Sequence, residues 1–255
     1  AEYCGVELFK KIRKIEISGQ QRAAHDPTHS ARVQICRTKE KPFDAKLFAG
    51  LKILRATDFV PKKDVPSPWI FAPIIVQDNR TRCALNAEQA KRYAILHNEP
   101  ILVWYDHVKG TKQELMTDTE RAKLLHDAFP QVKRYFVRGA PCMMWENIDP
   151  QEKLANGVYA KMHSLTWENE NFAGEEIRKA IRNAKAGKEI EVPFPLSVNV
   201  IPDKGPKKNT VIPIQRTSQS NHCTLRAKNG KIRRRETHLC ALAFSQTYNK
   251  IQGST

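Results

Sequence analysis

Two short apolar segments on either side of a helix-like stretch place the strongest limit on how this chain folds. The run WIFAPIIV at 69–76 is almost continuously apolar, which is typical of a strand buried on both faces of a sheet. The segment DNRTRCALNAEQAKRYAILH follows at once, with Asp78 or Asn79 as a possible N-cap, and ILVWY at 101–105 indicates a second buried strand. Strand, helix and strand with short joints predict a parallel sheet and therefore an α/β architecture.

The later part of the chain has a different pattern of apolar and turn residues. From Val132 onward, short β-like runs alternate with turn residues, which predicts antiparallel strands. A helix is expected within GEEIRKAIRNAKAG, with Gly187 as its C-terminal stop. The segments TLRAK and KIRRR flank Asn229-Gly230, a strong hairpin signal, so a two-stranded ribbon is predicted.

The charge balance indicates the kind of partner. The chain has 43 Lys and Arg against 27 Asp and Glu, a net charge of +16, which is far more than solubility requires. The ribbon carries six cations that can lie along a phosphate backbone, namely Arg226, Lys228, Lys231, Arg233, Arg234 and Arg235. The alternative is a solvated edge hairpin protected by its charge. A polyanionic partner is the first inference, and both a nucleic-acid enzyme and a binding module fit it.

Other kinds of chemistry find little support in the sequence. The six cysteines are scattered without a C-x-x-C pair, which indicates reduced thiols in a nuclear or cytoplasmic protein. His222-Cys223 and His238-x-Cys240 do not have the spacing of zinc ligands, so no metal site is expected. The longest apolar run is far shorter than the ~20 residues of a membrane span, so no membrane contact is expected. Neither Walker motif occurs, so this chain alone is expected to bind no ATP or Mg²⁺ and to hydrolyse no ATP.

Three segments in order resemble a known family. They are IEISGQQRAAHDPTH, WIFAPIIVQDNRTRCALNAEQA, and RGAPCMMWENIDPQEKLANGV followed by FSQTYNKIQGST. Together they resemble superfamily-one DNA helicases of the Pif/RecD branch, especially the helicase part of Helitron-type transposon proteins, over nearly the whole chain. The resemblance implies an α/β fold with a RecA-like parallel sheet, the second helicase domain, at 1–157 and 236–255. It also implies a small antiparallel β-barrel of the Src-homology type inserted at 158–235.

The resemblance assigns roles near the start of the chain. Arg22 stands where motif IV of the family has an arginine that reaches the γ-phosphate, which would make it a catalytic and nucleotide-binding residue. The alternative is a surface arginine beside a helix. Asn79 and Arg80 stand at the strand-to-helix turn that touches single-stranded DNA, where Gln77-Asp78-Asn79 replaces the usual Ser-Thr-Asn. Asp78 puts an anion near the phosphates, and its alternative role is simply that of a helix cap.

The end of the chain resembles motif V, which couples bound DNA to the nucleotide site. The family pattern is Thr-x-His-Lys-x-Gln-Gly, and Asn249 replaces its histidine. By this resemblance Thr247, Asn249, Lys250 and Gln252 contact DNA, and Gly253 lies at the nucleotide site. The substitution at Asn249 keeps hydrogen-bonding capacity but removes the aromatic ring.

The implied activity is that of an ATP-dependent, five-prime to three-prime DNA helicase that takes part in DNA repair and recombination. The implied partner is single-stranded DNA, and the implied cofactors are ATP and Mg²⁺ in the complete enzyme. The first RecA-like domain and motif VI are not in this sequence, so we expect a fragment or truncated product that needs its missing N-terminal domain. The alternative is a stand-alone, non-enzymatic nucleic-acid-binding protein derived from a helicase.

Overall fold

The computed structural model describes residues 70–110, 116–152, 154–168, 174–226 and 232–247, together with the isolated residues 27 and 31. All the elements below belong to the unit formed by residues 57–254. The helices are α1 (Asn79–Leu96), α2 (Asp118–Leu125) and α3 (Gly174–Arg182), with 3₁₀ turns at Pro130–Val132 and Asn221–Cys223. None of the helices in this described part is long and apolar enough to cross a bilayer.

The strands run in chain order from β1 to β13. They are β1 (Ile74–Val76), β2 (Ile101–Tyr105), β3 (His107–Val108), β4 (Lys133–Phe136), β5 (Pro141–Met144), β6 (Tyr159–Thr166), β7 (Glu189–Glu191), β8 (Ser197–Pro202), β9 (Ile212–Thr217), β10 (Thr224–Arg226), β11 (Ile232–His238), β12 (Cys240–Leu242) and β13 (Ser245–Thr247).

The first apolar run forms a shorter and more exposed strand than expected. β1 begins at Ile74, because Pro73 before it has no N–H to donate to a sheet. Ile75 is 57% exposed, so the strand is not buried on both faces. β1 pairs in parallel with β13, and Val76 lies opposite Thr247.

Helix α1 forms where the sequence predicts it, but its buried face is half polar. Asp78 is the N-cap, and its side chain accepts a hydrogen bond from the Thr81 N–H. The buried residues of α1 are Arg82, Asn86, Gln89, Ala90 and Ala94. The alanine pattern therefore identified only part of the face that packs against the rest of the unit.

The second apolar run is confirmed as a buried strand. Ile101, Leu102, Val103 and Trp104 of β2 are all buried. β2 lies between β4, which is antiparallel to it, and β7, which is parallel to it. The chain runs from β2 through β3 and α2 to β4, and β4 pairs with β2 in the antiparallel direction. This edge of β2 is therefore not open to a second parallel strand.

The expected RecA-like parallel sheet is not found among the described strands. β1 and β2 lie in separate sheets, and the parallel pairs within the described residues are β1 with β13 and β2 with β7. The coarser prediction, a mixed α/β fold, is confirmed.

The largest sheet is antiparallel, as predicted for the later part of the chain. Its strand order is β10-β11-β9-β8-β6-β5-β12, and β3 pairs with β11 away from this path. The two ends of the path do not pair within the described residues, so the expected closed barrel at 158–235 is not seen. The reason lies in the pairing of β5 with β6 and of β12 with β5, which extends the sheet beyond that range.

Two apolar clusters support the elements around the candidate site. Inward-facing residues of β6 and β8, such as Met162 and Val200, belong to the main core, against which Ile177 and Ile181 of α3 pack. α3 forms as predicted but ends before Gly187. A smaller cluster holds the basic ribbon to α2 and the turn at 130–132, and it contains Val108, Ala122, Phe129, Val132 and Leu225.

Candidate nucleic-acid interface

The turn after β1 and the end of β13 lie at one edge of their two-stranded sheet. Because the strands are parallel and Val76 pairs with Thr247, the chain leaves both strands at the same edge, where α/β sheets commonly bind ligands. Asn79 and Arg80 follow β1 and are exposed in the first turn of α1. The structure thus places Asn79, Arg80 and Thr247 at one sheet edge, although they come from distant parts of the sequence.

Asp78 at this edge acts as a helix cap. Its Oδ1 accepts a hydrogen bond from the Thr81 N–H at 2.9 Å, and its Oδ2 accepts one from the Thr81 hydroxyl at 2.8 Å. These bonds lower the pKa of Asp78, so the carboxylate is ionised at neutral pH. The capping alternative is therefore sufficient to explain Asp78.

A buried amide joins α1 to β13. The Asn86 Nδ2 donates to the Ser245 carbonyl at 3.1 Å, and the Asn86 Oδ1 accepts from the Ser245 N–H at 2.8 Å. These two hydrogen bonds have the same pattern as those between paired residues of two antiparallel strands, and they fix the position of β13 along the helix. Sequence reasoning missed Asn86, although it shares a helical face with Ala90 and Ala94.

The basic ribbon exists as a pair of antiparallel strands, which confirms that part of the prediction. Thr224 lies opposite Arg234, and Arg226 lies opposite Ile232. Arg226 and Arg234 are exposed, whereas Arg233 is half-buried. The two exposed guanidinium groups are accessible to a phosphate backbone.

Arg235 departs from the expectation that it contacts phosphate. It is 3% exposed, and its Nη1 donates to Asp106 at 2.6 Å and to the Gln131 carbonyl at 2.9 Å. Its Nη2 donates to the His222 carbonyl at 3.1 Å. Successive residues of a strand point to opposite faces, so Arg235 turns into the protein while Arg234 turns outward.

Three buried arginines lie close together, and two of them, Arg134 and Arg235, act on one buried carboxylate, Asp106. Arg82, Arg134 and Arg235 are all less than 9% exposed, and Asp106 is fully buried. Burial raises the pKa of Asp106, and the charges of Arg235 and Arg134 oppose that rise. Burial also lowers the pKa of Arg82 and of Arg235, and nearby guanidinium charges add to the effect. In the sequence, this cluster is indicated only by Asp106, an acidic residue directly after the apolar strand ILVWY.

A cleft that opens to solvent lies beside this cluster, between α1, β4 and β12. Its lining includes Arg82, Cys83, Lys133, Arg134 and Trp145. The guanidinium carbons of Arg82 and Arg134 lie 5.4 and 5.0 Å from the centre of the Trp145 ring, within the range of cation–π attraction. Sequence reasoning did not identify this cleft.

The other predicted site residues lie outside the described part of the chain and stay predictions. They are Arg22, Lys228, Lys231, Asn249, Lys250, Gln252 and Gly253. In the described part, no group of three or more His, Cys, Asp or Glu residues could hold a metal ion. Cys83, Cys142, Cys223 and Cys240 are free thiols there.

Comparisons with known proteins give a likeness of fold. No family model matches the sequence, and no curated protein matches it. A crystal structure of Pif1 helicase from Candida albicans is similar with a TM-score of 0.50 at 17% identity, covering 95% of this chain and 49% of that chain. Unliganded Pif1 from Bacteroides sp. gives a TM-score of 0.46 at 16% identity, with 93% and 42% covered. The chain thus spans about half the length of the Candida albicans structure and shares a fold with that part of it.

Proposed function

We propose that this chain is half of the motor of a Pif-type DNA helicase. Joined to a RecA-like domain that carries the Walker motifs, it binds single-stranded DNA and moves along it in the five-prime to three-prime direction as ATP is hydrolysed. The observation that carries the proposal is the fold match to Pif1 helicase from Candida albicans, which covers 95% of this chain but only 49% of the helicase.

The edge formed by β1 and β13 supports a DNA-binding role. Asn79 and Arg80 offer an amide and a guanidinium there, and Thr247 lies at the same edge. The exposed Arg226 and Arg234 of the ribbon supply further contacts to phosphates. We extend the DNA-binding role to Asn249, Lys250 and Gln252, which follow Thr247 along the chain.

The nucleotide site belongs to the complete motor. We assign the γ-phosphate contact to Arg22 and a place at the nucleotide site to Gly253. Among the described residues no cluster of carboxylates could hold Mg²⁺. The proposal therefore gives the metal ligands and the phosphate cradle to the Walker-containing domain.

The finer features of the family are part of the same proposal. They are a Helitron-type origin, a nuclear or cytoplasmic location, and domain bounds of 1–157, 158–235 and 236–255. The segment 158–235 shares its sheet with β3, β5 and β12, so as an insertion it would be built into the host domain rather than tethered to it.

The test is reconstitution of the motor. This chain is fused to the Walker-containing first domain of a Pif1 helicase, and ATP turnover is measured with and without single-stranded DNA. We expect turnover that DNA stimulates in the fusion, none in the chain alone, and unwinding of duplexes that carry a five-prime tail. A cooperatively folded fusion that binds DNA but hydrolyses no ATP would contradict the proposal and favour the stand-alone binding protein.

A further inference from the structure

We propose that the cleft between α1, β4 and β12 binds the phosphate group of a ligand, with Arg82 as its main contact. The cleft adjoins the edge of β1 and β13, because the Arg82 Nε donates to the Asn79 side chain, whereas its lining shares no residue with the exposed face of the ribbon. It adds a binding site to the proposed function and does not depend on ATP turnover by the motor.

The first argument is an unbalanced buried charge. Arg82 is 6% exposed, and its Nε donates to the Asn79 side chain at 3.1 Å while its Nη2 makes only a long contact of 3.6 Å to the Cys83 sulfur. No carboxylate in the described part of the chain forms an ion pair with Arg82. Buried charges in proteins are normally paired, because an unpaired one loses its hydration without compensation. An anion in the cleft would provide the missing partner.

The second argument is the sign of the lining. Lys133 and Arg134 line the cleft with Arg82, and no acidic side chain lines it among the described residues. The Lys133 ammonium pairs with Glu189 at 2.7 Å, so the positive charge at the cleft comes mainly from the two guanidinium groups. Arg134 is held in place by its bonds to Thr237 and to the His238 carbonyl, at 3.2 and 3.1 Å, so its charge is fixed beside the cleft. Such an arrangement attracts an anion with more than one negative charge, because each cation adds to the same local field.

The third argument concerns the type of anion. The guanidinium groups of Arg82 and Arg134 lie over the Trp145 ring, and the Lys133 ammonium lies 5.0 Å from the centre of the Tyr135 ring. These rings are therefore already engaged by cations and are poor platforms for stacking a base. The cleft instead offers positive charge and the N–H donors of its guanidinium groups. A guanidinium matches the oxygens of a phosphate in a two-point contact.

The experiment measures the thermal stability of the whole chain in sodium phosphate and in sodium chloride of equal ionic strength. A ligand at about ten times its Kd raises the Tm of a chain of this size by about 3 to 6 °C. We expect a saturable rise of this order in phosphate, and its loss in Arg82→Gln. Arg92→Gln, which removes an exposed arginine from the same helix, should keep the rise. The absence of a saturable rise, or its persistence in Arg82→Gln, would overturn the proposal.

A second measurement needs no substitution in the core. Cys83 lines the cleft and is partly exposed, so its alkylation by iodoacetamide can be followed by peptide mass spectrometry. Occupancy at about ten times Kd should slow the reaction of Cys83 about tenfold in phosphate relative to chloride. An alkylation rate that phosphate leaves unchanged would count against the site even if Arg82→Gln failed to fold.

The phosphate can belong to a nucleic-acid backbone or to a free phosphate compound, and oligo-dT separates the two sources. For a backbone phosphate, Arg82→Gln weakens oligo-dT binding and reduces the salt slope by about 0.7, and inorganic phosphate competes with the oligonucleotide. For a free phosphate compound, oligo-dT binding is unchanged in Arg82→Gln while the stabilisation by pyrophosphate is lost. Either result supports the site and identifies its source, and neither depends on ATP turnover by the reconstituted motor.

Discussion

At the scale of single residues, a neutral histidine lies among the buried arginines. His238 is fully buried, and its Nε2 donates to the Pro195 carbonyl at 3.1 Å, while its Nδ1 has no hydrogen-bond partner in the described structure. Burial, with a contribution from the charge of Arg134, lowers the pKa of His238 from 6.5 to about 3. A proton on His238 would add a positive charge beside a cluster in which three buried arginines already outnumber one buried carboxylate.

The depressed pKa of His238 predicts a loss of stability in mild acid. Between the folded and unfolded pKa values the unfolded chain binds more protons, so the free energy of unfolding is highest above pH 6.5 and falls as the pH drops toward 3. Protonation of His238 in the unfolded chain should lower the free energy of unfolding by about 2 kcal/mol between pH 7.5 and pH 5. Urea unfolding at the two pH values measures the change.

The matched control is another histidine. Over this pH range, the free energy of unfolding of His238→Gln should fall by about 2 kcal/mol less than that of the wild type. His163→Gln, at a partly exposed position on β6, should behave like the wild type. An unchanged pH dependence in His238→Gln would show that His238 does not carry the effect.

At the scale of elements, the ribbon has two faces with different roles. Arg226 and Arg234 are exposed, whereas Arg235 pairs with Asp106 beneath the sheet. The two faces follow from the alternation of side chains along β11, which points Arg234 and Arg235 to opposite sides of the strand. The cations of the ribbon therefore divide into surface groups and at least one structural group.

The exposed face predicts the salt dependence of DNA binding. Replacing Arg226 and Arg234 by Ala should reduce the slope of log affinity against log salt by about 0.7 for each phosphate that the ribbon no longer neutralises. Titrations with single-stranded DNA between about 50 and 200 mM salt measure the slope. A slope that the double substitution leaves unchanged would make the ribbon a solvated edge.

The buried face predicts a different outcome for Arg235→Ala. Removing one partner of a buried ion pair leaves Asp106 uncompensated and typically costs about 3 to 5 kcal/mol. We expect a lower denaturation midpoint for Arg235→Ala, in contrast to near-normal stability for Arg226 and Arg234 replaced together. Equal stability of the two variants would contradict the buried pair.

The elements differ in how well the sequence predicted them. α1, β2, α3 and the paired strands of the ribbon follow from local periodicity and turn residues, which are properties of neighbouring positions. The length of β1 and the open sheet depend on which strands meet, and pairing of distant segments leaves no local pattern. The same holds for the cleft, because Arg82 and Arg134 are distant in the sequence and come together only when α1 packs beside β4.

At the scale of the whole molecule, the proposed motor depends on a residue outside the described part. If Arg22 reaches the γ-phosphate from across a domain interface, Arg22→Lys keeps the charge but loses the planar two-point contact. We expect the reconstituted motor to lose about 10³-fold or more in ATP turnover, while its affinity for single-stranded DNA stays nearly unchanged. Full turnover in Arg22→Lys would make Arg22 an ordinary surface arginine.

The hydrogen bonds between the Asn86 side chain and the Ser245 backbone also have a consequence for how the molecule forms. The two residues are 159 positions apart, and the pairing of β1 with β13 spans a similar separation. Synthesis at about 5 to 20 residues per second leaves α1 without its partner strand for roughly ten to thirty seconds. Contacts of such long range close slowly even in the finished chain. The edge proposed to hold DNA is therefore among the last parts of the unit to assemble, and the apolar strand β1 is without β13, its partner among the described strands, throughout that interval.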